Sequence, residues 1–329
     1  FLSRLYHPFM GYLAGWVSLF VGFAAPVALA AMALGAYLGN VVDLPPKYLA
    51  LGLLLAVAAI HSFSLRTSSR FQSWATWFKV LLIAFLIGAG MLTGREATAL
   101  DFTAGWTGEV LTPAFAIAFV YVSYSYTGWN AAAYIIEEVD RPKVNLPRAL
   151  VQGTLLVVLL YVLLQLVFLK HGTLETLTGV LDVGHIFAEN VFGPGGAPLI
   201  NLLIAFFLVS SISAMVWVGP RVSMAMGADY RLWRFLKRKN ARGIPVTAIW
   251  FQTAISMVYV VTGTFESVLL YCGFILQLSS ALAVAGVFVL RRRNLAPDRF
   301  KAPFYPLLPL LFLALSVWIL GYLLADQPL

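Results

Sequence analysis

Runs of mainly apolar residues, each about 20 long and so able to cross a bilayer as a helix, recur along this chain. They fall at 11–38, 47–64, 74–93, 113–136, 149–169, 197–218, 246–263, 267–290 and 304–325. The second and seventh are short, and all are separated by brief polar stretches. The pattern predicts nine membrane-spanning helices in one polytopic membrane domain over residues 1–329. The longest hydrophilic stretches, 94–112, 170–196 and 219–245, are too short for a soluble domain to fold beside them.

Charge changes the picture by giving the helices a direction. If the segment before the first span is put on one side and the loops alternate, that side carries 18 of the 22 Lys and Arg residues. The other side carries Lys47, Arg95 and Lys170, and Lys79 lies inside a span. An excess of Lys and Arg marks the cytoplasmic side, so the chain starts inside and ends outside, as a multi-pass protein of a cytoplasmic (plasma or inner) membrane. The same asymmetry accounts for the net charge of +8 without nucleic acid as a partner; membrane lipid is the expected surrounding. Composition agrees, with 61% hydrophobic and 11% charged residues, against about half and a quarter in soluble domains. The single cysteine, Cys272, excludes intramolecular disulfides and multi-cysteine metal sites. No cofactor or metal is expected. The chain opens on Phe1 with no recognisable cleavable signal, and the expectation is that the natural protein extends further in that direction.

One span is interrupted. Between 115 and 147 the apolar run gives way to Ser125-Tyr126-Thr127-Gly128-Trp129-Asn130 and then resumes, ending in Glu137, Glu138 and a turn with Pro142 and Pro147. Lipid cannot satisfy a broken backbone, so such a break persists where it faces protein or a watery cavity. Half-helices meeting at the midplane are how secondary transporters build a substrate site. The first half ends near 124–127, where unpaired carbonyls carry partial negative charge suited to an ammonium group. Gly128 tolerates the special backbone angles, Asn130 offers a donor and an acceptor, and Tyr124 and Trp129 are wide enough to cover a small ligand. Glu138 and its neighbour could pair with nearby bases on the cytoplasmic side. The plainer alternatives are a glycine kink, packing aromatics and a solvated loop.

Lys79 is the one acid or base clearly inside a span. Intramembrane ionisable residues are functional by default, although this lysine lies near enough to the cytoplasmic end for its amine to snorkel. Elsewhere the signals are softer. Gly22, Ala25 and Pro26 make a small-residue patch that serves either helix packing or a pocket. Ser210, Ser211 and Ser213 offer hydroxyls to a site or to their own backbone, and Gly273 is a further lining candidate. Residues 183–192 suit a short outer helix. His171, Asp182, His185 and Glu189 match no metal-ligand spacing. Residues 229–240 interleave bases with Leu232, Trp233, Phe235 and Leu236, which reads as an interfacial helix on an anionic leaflet. His61 is a lone intramembrane histidine suited to packing or a hydrogen bond.

Three pieces together resemble one family. The segment 125–131 with the turn 137–147 is similar to the sixth helix and following turn of amino acid permeases. These belong to the amino acid–polyamine–organocation (APC) superfamily, with the L-type amino acid transporter branch the closest in wording. Gly219-Pro220-Arg221-Val222-Ser223-Met224-Ala225-Met226-Gly227 resembles the end of their eighth helix. Arg291 to Pro297 with Phe300 to Pro306 resembles the link from their tenth to eleventh. The resemblance implies an all-α integral membrane fold, the LeuT-type inverted-repeat helical bundle, with the nine spans standing for helices three to eleven of twelve and the fold incomplete at the N-terminus. The family's first-helix glycine-serine-glycine break, which takes the substrate carboxylate, has no match here. By the same resemblance Tyr124 matches an aromatic gate, Ser125, Tyr126, Thr127 and Gly128 match unwound backbone, and Asn130 matches a polar neighbour. Lys79 falls where many sodium-independent members carry a lysine in place of sodium.

The implied function is transport of α-amino acids by alternating access, with a small amino acid as the substrate partner. The apolar pocket helices favour neutral substrates, and exchange and proton-linked uptake both stay open. A polyamine or organic-cation carrier of the same superfamily is the nearest alternative, but it calls for midplane carboxylates. An enzyme lacks a catalytic set, with no HExxH in the chain, and a channel lacks a ring-forming filter.

Overall fold

Prolines and polar caps begin most of the helices, and small residues decide how closely they pack. The computed structural model describes residues 2–63, 69–94, 108, 110, 112–129, 132, 136, 139–293 and 304–326, and these contain no β-strand. After a turn of helix at Leu2–Leu5, the long helices are α1 (Pro8–Val17), α2 (Ala25–Gly39), α3 (Pro46–Phe63), α4 (Ser69–Leu92) and α5 (Pro113–Ser125). They continue as α6 (Pro142–His171), α7 (Val183–Asp229), α8 (Val246–Thr262), α9 (Phe265–Arg292) and α10 (Leu307–Asp326). Seven of the apolar runs fall on helical stretches long and apolar enough to cross a membrane; α5 and α8 are shorter apolar helices. Helix α7 is two helices joined at Gly193, whose φ of 72° and ψ of 175° are non-helical. Residues 183–192 therefore form a separate helix.

Between α1 and α2 the chain widens into a π-helix at Ser18–Ala24. The cause is Pro26, which has no N–H to return to the carbonyl one turn back. Side-chain donors reach two carbonyls of this segment: the Ser256 hydroxyl donates to Ala24 O at 2.8 Å and the Cys272 thiol to Val21 O at 3.6 Å.

The chain divides into two compact units. The first holds the described residues of Phe1–Gly22, Thr103–Leu156 and Glu266–Leu329, and the second those of Phe23–Phe102 and Val157–Phe265. In the first unit α5 packs on α10 through Val120, Ile319 and Leu323, with Phe119, Phe274 and Trp318 around them. The Tyr6 phenol, whose pKa burial raises, donates to Leu282 O at 2.8 Å and ties the N-terminal turn to α9.

In the second unit the small residues Ala28 and Ala31 of α2 and Ala50 and Ala58 of α3 let these helices approach Ile212 and Val216 of α7 and Ile249 of α8. A second cluster joins Leu82, Leu86 and Ile87 of α4 to Val167 of α6 and Phe187, Ile200 and Phe207 of α7. Outward faces are apolar as well: Trp77, Leu81 and Phe85 stand exposed along one side of α4. Such stripes suit lipid rather than water.

The C-terminal end of α4 is held by a cation. Lys170 Nζ donates to Gly90 O (3.2 Å), Met91 O (2.9 Å) and Thr93 O (2.9 Å), the carbonyls a helix end leaves unpaired. His171 Nε2 adds a contact to Gly90 O at 2.8 Å. Lys170→Met keeps the stem and deletes the donors. It is expected to cost about 1.5–3 kcal/mol, the worth of hydrogen bonds to a charged group, read as a lower thermal midpoint in detergent. Lys170→Arg should keep most of the stability, and an equal midpoint in Lys170→Met would contradict the cap.

Candidate functional site

Helix α5 begins with Thr112, whose hydroxyl accepts from Phe115 N–H at 3.3 Å, and with Pro113 in the first turn, where a missing N–H costs nothing. It stops at Ser125, well short of the 113–136 run. Tyr126 leaves helical geometry with φ −98° and ψ 6°. Residues 126–129 form a turn, and Gly128 sits at φ +96°. Non-glycine residues rarely adopt that region. A Cβ at Gly128 would meet nothing within 4 Å, so backbone angle alone calls for glycine here.

The turn closes on its own carbonyls. Thr127 N–H donates to Tyr124 O at 2.9 Å and the Thr127 hydroxyl donates to the same oxygen at 2.7 Å. Tyr126 N–H reaches Ser123 O at 3.2 Å, and the Ser125 hydroxyl returns to Tyr121 O at 3.0 Å. Tyr124 O thus has both acceptor directions filled by Thr127, a detail that residue types alone do not reveal. Ser125, Thr127, Gly128 and Trp129 are exposed, while Tyr124 and Tyr126 are partly buried. Asn130, Glu137 and Glu138 lie outside the described residues.

Gly273, on α9 beside Cys272, serves packing: a Cβ there would lie 2.6 Å from Val120 Cγ1 of α5, one turn before Tyr124. Gly273→Ala is expected to cost about 1–3 kcal/mol by overpacking, measured as a lower thermal midpoint. An unshifted midpoint would show that the two helices yield freely.

In the second unit, α4 carries Lys79, which is partly buried. Its Nζ donates to Ser211 Oγ of α7 at 2.9 Å. The Ser211 hydroxyl sends its own proton to Phe207 O at 3.2 Å, which leaves its lone pair for the ammonium. Phe78 and Phe207 flank the contact with ring centroids 5.3 Å apart. Ser213 instead meets His61 Nε2 of α3 at 2.8 Å, both buried, while the buried Ser210 hydroxyl has no hydrogen-bond partner among the described residues. At 100° per residue, 210 and 213 share a face and 211 does not, so of the three serines it is Ser211 that meets the lysine. Ala25 is buried within the second unit, and Gly22 lies in the π-helical turn with only Val17 O and Ser18 Cβ near its added Cβ position.

The physics of an ammonium on helix-end carbonyls appears twice in the second unit, in Lys170 on α4 and in Lys47 Nζ on Val261 O of α8 at 2.9 Å. The end of α5 offers the same kind of group. Among the described residues no cluster of three or more His, Cys, Asp or Glu could hold a metal ion.

Long apolar helices, one of which ends in a glycine-containing turn, and a lysine within an apolar helix whose ammonium meets a hydroxyl define a polytopic α-helical membrane protein. The chain belongs to the amino acid permease family, whose sequence profile, "Amino acid permease", matches residues 1–325. It is 26% identical over 338 residues to the b(0,+)-type amino acid transporter 1 of Homo sapiens, covering 100% of this chain and 69% of that protein. It is 26% identical to the serine/threonine exchanger SteT of Bacillus subtilis (strain 168), covering 98% of this chain and 74% of that one. It is 23% identical to the cystine/glutamate transporter of Homo sapiens, covering 100% and 67%. These relatives are amino acid transporters and exchangers rather than enzymes.

Proposed function

We propose that the protein moves neutral α-amino acids across a plasma or inner membrane by alternating access, without sodium, and that it works by exchange. The observation that carries this reading is the ammonium of Lys79 on Ser211 Oγ. A fixed cation inside the membrane supplies the charge that a bound sodium ion would otherwise bring. The exchange component draws support from a relative described as a serine/threonine exchanger.

In this proposal the broken end of α5 takes the substrate's ammonium group. Tyr124 O is doubly bonded by Thr127 at rest, so an arriving ammonium displaces the Thr127 hydroxyl, the softer of the two donors. Ser125, Tyr126, Thr127 and Gly128 complete the substrate end of the site, with Asn130 as their polar neighbour. Tyr124 and Trp129 gate access, Lys79 couples occupancy to the inner gate, and Glu138 helps close the cytoplasmic side. Neutral side chains are favoured because the contributing helices bring no distinctive charge.

The test is uptake of labelled neutral amino acids by full-length protein in liposomes, in sodium-free buffer, with and without amino acids inside. Uptake that internal substrate stimulates supports exchange. Uptake indifferent to internal substrate but driven by a pH gradient points to proton linkage instead. No uptake of any amino acid by folded protein would sink the substrate class.

A further inference from the structure

The loop joining α7 to α8 turns Leu236 inward and its cations outward. Residues Arg231–Lys237 form a short 3-10 helix. Its Leu236 is fully buried, and Trp233 and Phe235 meet Phe251 of α8 edge-on, with centroids 6.0 and 5.6 Å apart. Gly227, near the end of α7, allows the close approach: a Cβ there would lie 2.6 Å from Trp233 O and 2.9 Å from Lys237 N. The rest of the loop is clamped by Asn240, whose Oδ1 accepts from Arg242 N–H and Ile244 N–H, each at 2.9 Å. The bases are therefore displayed on a fixed frame rather than on a loose tail.

Arg231, Arg234, Lys237, Arg238 and Lys239 are all exposed. Among the described residues none of the five has a carboxylate within 4.0 Å. Set among them are two apolar side chains left outside, Leu232 at 68% exposure and Phe235 at 37%. We propose that this surface is a binding site for the headgroups of anionic phospholipids in the cytoplasmic leaflet, the bases taking phosphodiester oxygens while Leu232 and Phe235 enter the boundary with the acyl chains.

Three features select lipid over other phosphate-bearing partners. The frame hangs between the ends of α7 and α8, two apolar helices, so it is held at headgroup level by covalent connection. The charge asymmetry of the loops puts it on the cytoplasmic side, where anionic lipids draw juxtamembrane Lys and Arg. Exposed apolar side chains beside the bases would add nothing toward a soluble phosphate, but they bury area in a leaflet.

The experiment uses full-length protein in neutral detergent and follows the thermal midpoint during titration with phosphatidylglycerol, phosphatidylcholine or inorganic phosphate. Phosphatidylglycerol is expected to raise the midpoint saturably, and the other two are not. A variant with Arg234→Gln, Lys237→Gln and Lys239→Gln should need about 100-fold more phosphatidylglycerol, at about fivefold per base. A variant with Arg141→Gln, Lys143→Gln and Arg148→Gln removes as much charge from a different loop and should match wild type. Exchanging Arg for Lys and Lys for Arg at the first three positions should restore most of the response and guards against misfolding of the glutamine variant. The proposal fails if wild type does not respond to phosphatidylglycerol, if inorganic phosphate gives the same saturable rise, or if the two glutamine variants weaken equally.

Discussion

Lys79→Ala is expected to lower the initial rate of amino acid uptake by about 10- to 100-fold, the worth of one hydrogen bond to a charged group, while leaving the thermal midpoint unchanged or raising it. The two halves of that result have one cause. A lysine inside a span costs about 2.5–3.5 kcal/mol on insertion scales, and the neutral hydroxyl it meets among the described residues, Ser211 at 2.9 Å, offsets only part of this. Removing the charge relieves the protein and deprives the transport cycle. A lysine kept for stability would behave in the opposite sense, with a lower midpoint and near-normal uptake. Ser211→Ala is the companion variant. It leaves the ammonium in place without its acceptor, so it should reduce uptake less than Lys79→Ala and reduce stability more. If the pair acts as a unit, the double variant should transport no worse than Lys79→Ala alone, because both single changes break the same bond. Uptake untouched by Lys79→Ala would return the residue to snorkelling.

Much of this architecture could be read from residue order because hydropathy is a local property. The runs at 47–64 and 246–263 fall on Pro46–Phe63 and Val246–Thr262. The family, too, was legible in short motifs. Pairings across the chain were not. Pro26 stood out as part of a small-residue patch, but nothing near it in the sequence said that the segment before it would widen into a π-helix or which donors would reach its carbonyls. The donors are Ser256 and Cys272, 232 and 251 residues from the oxygens they reach. Lys79 stood out as a charge in lipid, yet nothing adjacent to it named Ser211, 132 residues away. Three serines in four positions offered a choice that only the facing helices could make, and they assigned Ser213 to His61 and Ser211 to Lys79. Lys170 looked like an ordinary outer base until its three carbonyl partners came from α4.

The end of α5 at the 126–129 turn was legible for a different reason: it is built from local geometry. That makes Gly128 the sharpest test of whether the break has a purpose. Substitution there is expected to reduce uptake in the order Asn mildest, then Ala, then Val, with Val losing at least tenfold. The argument rests on the backbone alone, since φ is +96° and an added Cβ meets nothing within 4 Å. Holding an L-residue in this region costs about 1–3 kcal/mol, least for Asn, whose short polar side chain bonds locally, and most for a β-branched residue. The turn can shed that strain by rewinding residues 126–129 toward helix, which would withdraw the carbonyls at the end of α5 into ordinary intrahelical bonds. The protein would then fold with a straighter, more regular helix and transport poorly. Gly273→Ala provides the contrast, because its cost comes from Val120 at 2.6 Å and should appear first in the thermal midpoint. Uptake in Gly128→Val equal to wild type, at an equal midpoint, would show that transport does not depend on this turn and would move the ammonium site away from α5.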